Sequence, residues 1–173
     1  MIRRREKLYD LIFSTHFLIK MAEHILTRQL TLDLPIEKVF NFFADAGNLE
    51  RITPPELNFH IVTAQPINIK KGTLIDYELR LRGFAVKWRT EISEWNPPYS
   101  FVDRALKSPY KQWIHRHTFT EMKKNKTLIE DEVKYRLPFE PFGDAARWFV
   151  RHELNYIFDF RQKKVLEILL NEK

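Results

Sequence analysis

The chain has no cysteine, which removes disulfides, iron–sulfur clusters and thiol catalysis together. The same absence fits a reducing compartment, so a cytoplasmic location is expected. Glycine is nearly as scarce, with 4 in 173 residues, and neither a Gly-rich phosphate loop nor a nucleophile elbow is present. No stretch of about 20 nearly uncharged residues occurs, so no spanning helix is expected. One sign of charge does not dominate either: 29 Lys+Arg against 23 Asp+Glu give +6, spread along the chain. That balance permits weak attraction to anionic surfaces without specifying nucleic-acid binding, and no nucleic-acid partner is expected. Low-complexity segments and internal repeats are also lacking.

What remains suffices for one domain with a real core, since 44% of the residues are hydrophobic. The N-terminal MIRRREKLYDLIFSTHFLIKMAEHIL begins basic and turns apolar, as a signal peptide does. Asp10, His16 and Lys20 interrupt its apolar part, however, and no small-residue cleavage site follows. Leu8, Leu11, Ile12, Thr15 and Ile19 have helical spacing. Residues 1–20 are thus either an amphipathic accessory helix or a disordered extension, and the domain spans 21–173. Arg3–Arg5 beside that apolar stripe would support transient membrane contact, but a disordered tail is the simpler reading.

Alternation over His24–Leu34, with Leu26, Leu30 and Leu32 on one face, predicts a first strand. Asp33 and Pro35 signal a helix start, with Val39, Phe40 and Phe43 as the apolar face. A second short helix is predicted over Leu49–Thr53, stopped by Pro54-Pro55. Strands are then predicted at about 57–65, 73–82, 84–95, 100–107, 111–122 and 127–137. A two-residue turn at Arg82-Gly83 pairs Tyr77 with Trp88 on one face and Asp76 with Arg89 on the other. From Phe142 to Leu170 the pattern is helical, with Ala146, Val150, Leu154, Ile157, Phe158, Val165 and Leu169 as a stripe. The expected class is α+β: one antiparallel sheet, two short helices after the first strand, and a helix ~40 Å long packed across the concave face.

The stretch WIHRHTF places Trp113, His115, His117 and Phe119 on one strand face. An inward face is normally aliphatic, so two histidines there ask for partners. A three-residue loop at Lys123-Lys124-Asn125 sets Phe119 opposite Ile129, His117 opposite Asp131, His115 opposite Val133 and Trp113 opposite Tyr135. Closing Lys107 on Lys111 sets Ala105 opposite Trp113, Asp103 opposite His115 and Phe101 opposite His117. Each inward histidine then gains an aspartate: Asp103 for His115, and Asp131 for His117. The strand would line a pocket that is apolar at its ends and polar in the middle. Three roles compete for these pairs. They satisfy one another inside the sheet, they orient a ligand, or they do chemistry. In the last case Asp131 supports His117 as a general base, or the two histidines and a carboxylate hold a metal. His–Asp pairing needs no metal and no third histidine falls nearby, so neither metal nor cofactor is expected.

The segments PIEKVFNFFADAGNLERITPP, FVDRALKSPYKQWIHRHTF and DEVKYRLPFEPFG, with a helix containing IFDFRQ, resemble the START-like, helix-grip superfamily. That superfamily includes polyketide cyclases and coenzyme Q-binding proteins, and the resemblance runs from Met21 to about Lys164. It departs at Glu140, where related chains often carry Gly. The resemblance implies a curved antiparallel sheet gripping a long C-terminal helix, with a cavity between them for a lipid, quinone, isoprenoid or polyketide-like molecule. The expected ligand-binding residues are Tyr77, Trp88, Asp103, Trp113, His115, His117, Asp131 and Tyr135. The alternative is a cyclase/dehydratase-like enzyme with His117 or His115 as general acid/base.

Overall fold

The computed structural model describes residues 23–138 and 146–171. The 1–20 extension, Glu140 and the predicted helix start at Phe142 lie outside them. Strand β1 (His24–Leu32) leads into helices α1 (Ile36–Phe43) and α2 (Gly47–Arg51) and a 3-10 turn at Pro55–Leu57. Then come β2 (His60–Ile61), β3 (Leu74–Leu81), β4 (Phe84–Asn96), β5 (Ser100–Lys107), β6 (Gln112–Lys123), β7 (Lys126–Arg136) and helix α3 (Arg147–Asn171). The seven strands form one antiparallel sheet in the order β1-β7-β6-β5-β4-β3-β2. Two bulges interrupt the β4–β5 ladder, with Leu106 the extra residue on β5 beside Arg89 and Thr90, and Ser93 the extra residue on β4 between Ile92 and Glu94. An extra residue on one strand bends it and increases its twist, as a curved sheet needs.

The expected hairpin registers are present. Tyr77 faces Trp88 and Asp76 faces Arg89 across β3–β4, where Arg82 and Gly83 both have positive φ (52° and 85°), as a mirror-type two-residue turn requires. Across β6–β7, Trp113 faces Tyr135, His115 faces Val133, His117 faces Asp131 and Phe119 faces Ile129. The route to that register differs from the three-residue loop. Lys123 pairs with Lys126 across a turn at Lys124-Asn125, with Asn125 left-handed (φ 60°), and a bulge between Glu121 and Lys123 restores the inward set. Met122, the extra residue, is exposed.

Four expectations need correction. The strand predicted at 57–65 reduces to His60–Ile61, because Pro55–Leu57 forms a 3-10 turn and Asn58 is left-handed (φ 40°). The second short helix begins at Gly47, not Leu49. The β5–β6 ladder ends at Arg104 opposite Ile114, so Ala105 and Trp113 are not paired. There Ala105 stays with Thr90 of β4, while the Tyr110 ring packs against Trp88 (centroids 5.9 Å apart) and Trp113 (4.9 Å), widening the connection. Ala146, placed in the apolar stripe of the long helix, is exposed. Leu154, Ile157, Phe158, Val165 and Leu169 of that stripe are buried as expected.

Two apolar clusters fill the concave side. One joins Leu79, Trp88, Trp113, Val133, Leu154 and Phe158; the other joins Phe40, Phe101, Phe119, Ile129, Val165 and Leu169. Each central element contributes to both. β6 gives Trp113 to the first and Phe119 to the second, and β7 gives Val133 and Ile129. Between those contributions each element carries a polar residue.

Candidate functional site

The polar residues form a belt across the molecule. β5 supplies Asp103, β6 His115 and His117, β7 Asp131, and α3 Arg161, and all five line an internal cavity of about 170 Å³. Period-two alternation puts the β6 side chains there, and both histidines are buried, at 3% and 8% exposure. Their rings lie with centroids 3.8 Å apart and planes tilted by 38°. Phe101 stacks on His117 at 4.2 Å and Phe158 meets His115 edge-on at 5.4 Å.

The aspartates are shared rather than assigned one to each histidine. His115 Nε2 lies 3.0 Å from Asp131 Oδ1, and its Nδ1 lies 3.4 Å from Asp103 Oδ2. His117 Nε2 lies 3.3 Å from that same Asp103 oxygen, and its Nδ1 lies 2.8 Å from Asp131 Oδ1. The last contact is close but off the line of a hydrogen bond. The hydrogen-bonded pairs are therefore His115–Asp131 and His117–Asp103, crossed relative to the simple opposition of strands. Each ring lies between the two carboxylates and meets one aspartate at each of its nitrogens.

Burial disfavours both imidazolium ions, yet the outcomes diverge. For His117, burial is outweighed by Asp131 and Asp103, and its pKa is raised to about 9. For His115, burial and the neighbouring His117 win over the two carboxylates and its pKa is lowered. Burial also works against the Asp131 anion, but His117 and the His115 hydrogen bond hold its pKa below the usual carboxylate range. Arg161 is lowered by burial, partly offset by Asp131, Tyr77 and Asp103. Its Nε is buried without a hydrogen-bond partner, and its guanidinium carbon sits 5.1 Å from the centre of the Phe158 ring.

Of the sequence-expected residues, Tyr77, Trp88, Asp103, Trp113, His115, His117 and Asp131 line the cavity. The Tyr77 hydroxyl lies 3.1 Å from Thr90 Oγ1, which also accepts from Trp88 Nε1 at 3.2 Å. Burial pushes the Tyr77 phenol above its ordinary pKa. Tyr135 is not on the wall; it is 3% exposed and packs behind Trp113 and Tyr110. Arg161, Thr90 and Tyr110 line the cavity but were not anticipated. Arg161 had a signal, falling four residues after Ile157 and four before Val165, on the stripe itself.

No protein-family model matches the chain, and no curated protein matches it by sequence. Solved structures do match. The Zhui aromatase/cyclase of a Streptomyces species is 14% identical over 84% of this chain and 93% of its own, with a TM-score of 0.69. A START superfamily protein from Mycobacterium smegmatis is 9% identical over 84% of this chain and 99% of its own, at 0.62. Norcoclaurine synthase from Thalictrum flavum, in complex with dopamine and hydroxybenzaldehyde, is 12% identical over 84% and 88%, at 0.60. At these identities the likeness establishes the fold: the chain has the helix-grip fold of START-like proteins. Among the described residues, no helix is long and apolar enough to cross a membrane.

Proposed function

We propose that the protein binds a small hydrophobic ligand inside the cavity, with the polar belt reading a carbonyl or hydroxyl on it. The observation that carries this reading is a cavity of about 170 Å³ walled by Trp88, Trp113, Phe101 and Phe158 around buried charge. An apolar cavity of about 150 Å³ accommodates benzene. The space therefore favours a one- or two-ring body, such as a quinone head or a cyclised polyketide unit, over a long acyl chain. The aromatic partners in the norcoclaurine synthase complex are of that size class and support the reading.

The test combines native mass spectrometry of freshly purified protein with displacement of a fluorescent two-ring naphthol dye by substituted phenols and quinones. Ile157, 8% exposed and on the cavity wall, is the filling position. Ile157→Trp is expected to weaken dye binding tenfold or more while the circular dichroism spectrum persists. Undiminished binding by a folded Ile157→Trp protein would refute an internal site.

A second reading, proton transfer in an aldol-type cyclisation or dehydration, is favoured by the buried imidazoles held between carboxylates at the cavity wall. His117→Gln separates the two. A binding module keeps its affinity within a few-fold, whereas an enzyme keeps binding and loses turnover by ~10²–10⁴.

A further inference from the structure

The His–Asp cluster gathers ring nitrogens and carboxylate oxygens around one point. Asp131 Oδ1 faces the outer nitrogens of both rings, His115 Nε2 at 3.0 Å and His117 Nδ1 at 2.8 Å. A neutral imidazole has one N–H. With the His115 Nε2 proton directed to Asp131, His115 Nδ1 is left as a lone pair, and His117 Nε2 is the atom paired with Asp103. Both of these face one carboxylate oxygen, Asp103 Oδ2, at 3.4 and 3.3 Å. A divalent ion that displaced the proton shared by His117 Nε2 and Asp103 would find three donor atoms converging on it. One donor atom from each of Asp103, His115 and His117 lies within 4.8 Å of the others.

Two of the three ligand-to-ligand distances, 3.4 and 3.3 Å, fit a metal ion. Bonds of about 2.0–2.1 Å in tetrahedral geometry put ligand atoms ~3.3–3.4 Å apart. Two imidazoles and one carboxylate suit a borderline divalent ion, not magnesium or calcium, which prefer all-oxygen sites. A carboxylate accepting from the far nitrogen of a ligating histidine fixes the ring and its tautomer; Asp131 does this for His115 and lies 2.8 Å from His117 Nδ1. The donors sit on adjacent strands β5 and β6, and Phe101 and Phe158 hold the rings from either side. We propose that Asp103 Oδ2, His115 Nδ1 and His117 Nε2 form a site for a divalent transition metal of the zinc, cobalt or nickel kind. Asp131 orients the His115 imidazole from behind. The three ligating residues all line the cavity, so further coordination positions are open to a cavity-bound molecule. The site goes beyond the ligand-binding reading and does not depend on it.

The experiment uses untagged full-length protein stripped with a chelator and titrated separately with zinc chloride and cobalt chloride. Calorimetry is expected to show one ion per chain, and cobalt an intense visible band of low-coordinate geometry. Asp103→Asn should weaken binding at least 100-fold, and Asp131→Asn by about 10–100-fold. Long-range imidazole nitrogen correlation spectra of the wild-type protein should show zinc shifting His115 Nδ1 and His117 Nε2, with the other two nitrogens protonated. These spectra decide the question even if Asp103→Asn does not fold. Absence of saturable binding, undiminished binding by folded Asp103→Asn, or zinc shifts confined to other histidines would overturn the site. Persistent protonation of both inner nitrogens in excess zinc would do the same and assign the cluster to a proton instead. Dye displacement on the stripped protein reports ligand binding separately, so either proposal can fail alone.

Discussion

In the metal-free protein, His117 takes up the charge that the cluster lacks. Burial opposes its cation, but Asp131 and Asp103 raise its pKa to about 9, against about 6.5 in an unfolded chain. A raised histidine contributes stability that is complete below the unfolded value and is lost as pH rises through the folded one. His115, with its pKa lowered chiefly by burial, acts the other way and removes stability as pH falls below about 6.5. Urea denaturation in the presence of a chelator should therefore show stability falling by ~3 kcal/mol between pH 6.5 and 9.5. His117→Gln should flatten that limb, and a flat wild-type profile would mean that the imidazole is not held between two anions. Two side chains illustrate what was legible at this scale. The inward histidines could be read because alternation on a strand has a period of two and WIHRHTF obeys it throughout. Arg161 was passed over because a search for apolar positions skips a cation even at the correct spacing. Its long stem lets a charged residue occupy a core-facing position while its head reaches a polar belt.

At the scale of elements, α3 serves as the lid of the cavity. Its 25 residues span about 37 Å, long enough to reach both apolar clusters, with Leu154 and Phe158 in one and Val165 and Leu169 in the other. Leu154 is 4% exposed. Leu154→Asp places an unpaired carboxylate there and should unfold the protein, since such burial costs much of a typical net stability of about 5–15 kcal/mol. Lys163→Asp, on the exposed face of the same helix, should stay within about 0.5 kcal/mol of wild type in the same denaturation assay. Equal stability of the two variants would place the helix differently. The β3–β4 hairpin was legible because its turn residues and its buried face point to the same register. The segment at 57–65 had only β-like composition, with no partner strand to check against. Pro54, Pro55 and the left-handed Asn58 decided its local conformation instead. The bulge at Met122 was hidden because different loop geometries deliver the same inward face, and alternation reports the face only.

For the molecule as a whole, the question is how much of the chain the fold requires. The inward side chains of β1 are already covered, with Leu26 at 8% and Leu32 at 2% exposure. β1 itself is paired along its full length with β7, from His24 opposite Tyr135 to Leu32 opposite Thr127. Arg28 reaches from that strand to Asp159 at 2.9 Å and to Asn155 at 2.7 Å, tying the sheet edge to α3. Among the described residues, both apolar clusters and the polar belt are built from positions that follow Met21. A chain starting at Met21 is expected to keep the melting temperature of the full chain within about a degree, and its dye affinity unchanged. The alternative makes a different prediction. If Leu8, Leu11 and Ile12 form the apolar face of a helix docked on the domain, removing them exposes surface worth ~25 cal/mol per Å². About 100 Å² would then cost ~2–3 kcal/mol, which for a domain of this size lowers the melting temperature by roughly 5–10 °C. Differential scanning calorimetry of the two chains separates a drop of that size from no change. A drop would make the N-terminal segment part of the domain rather than an appendage to it.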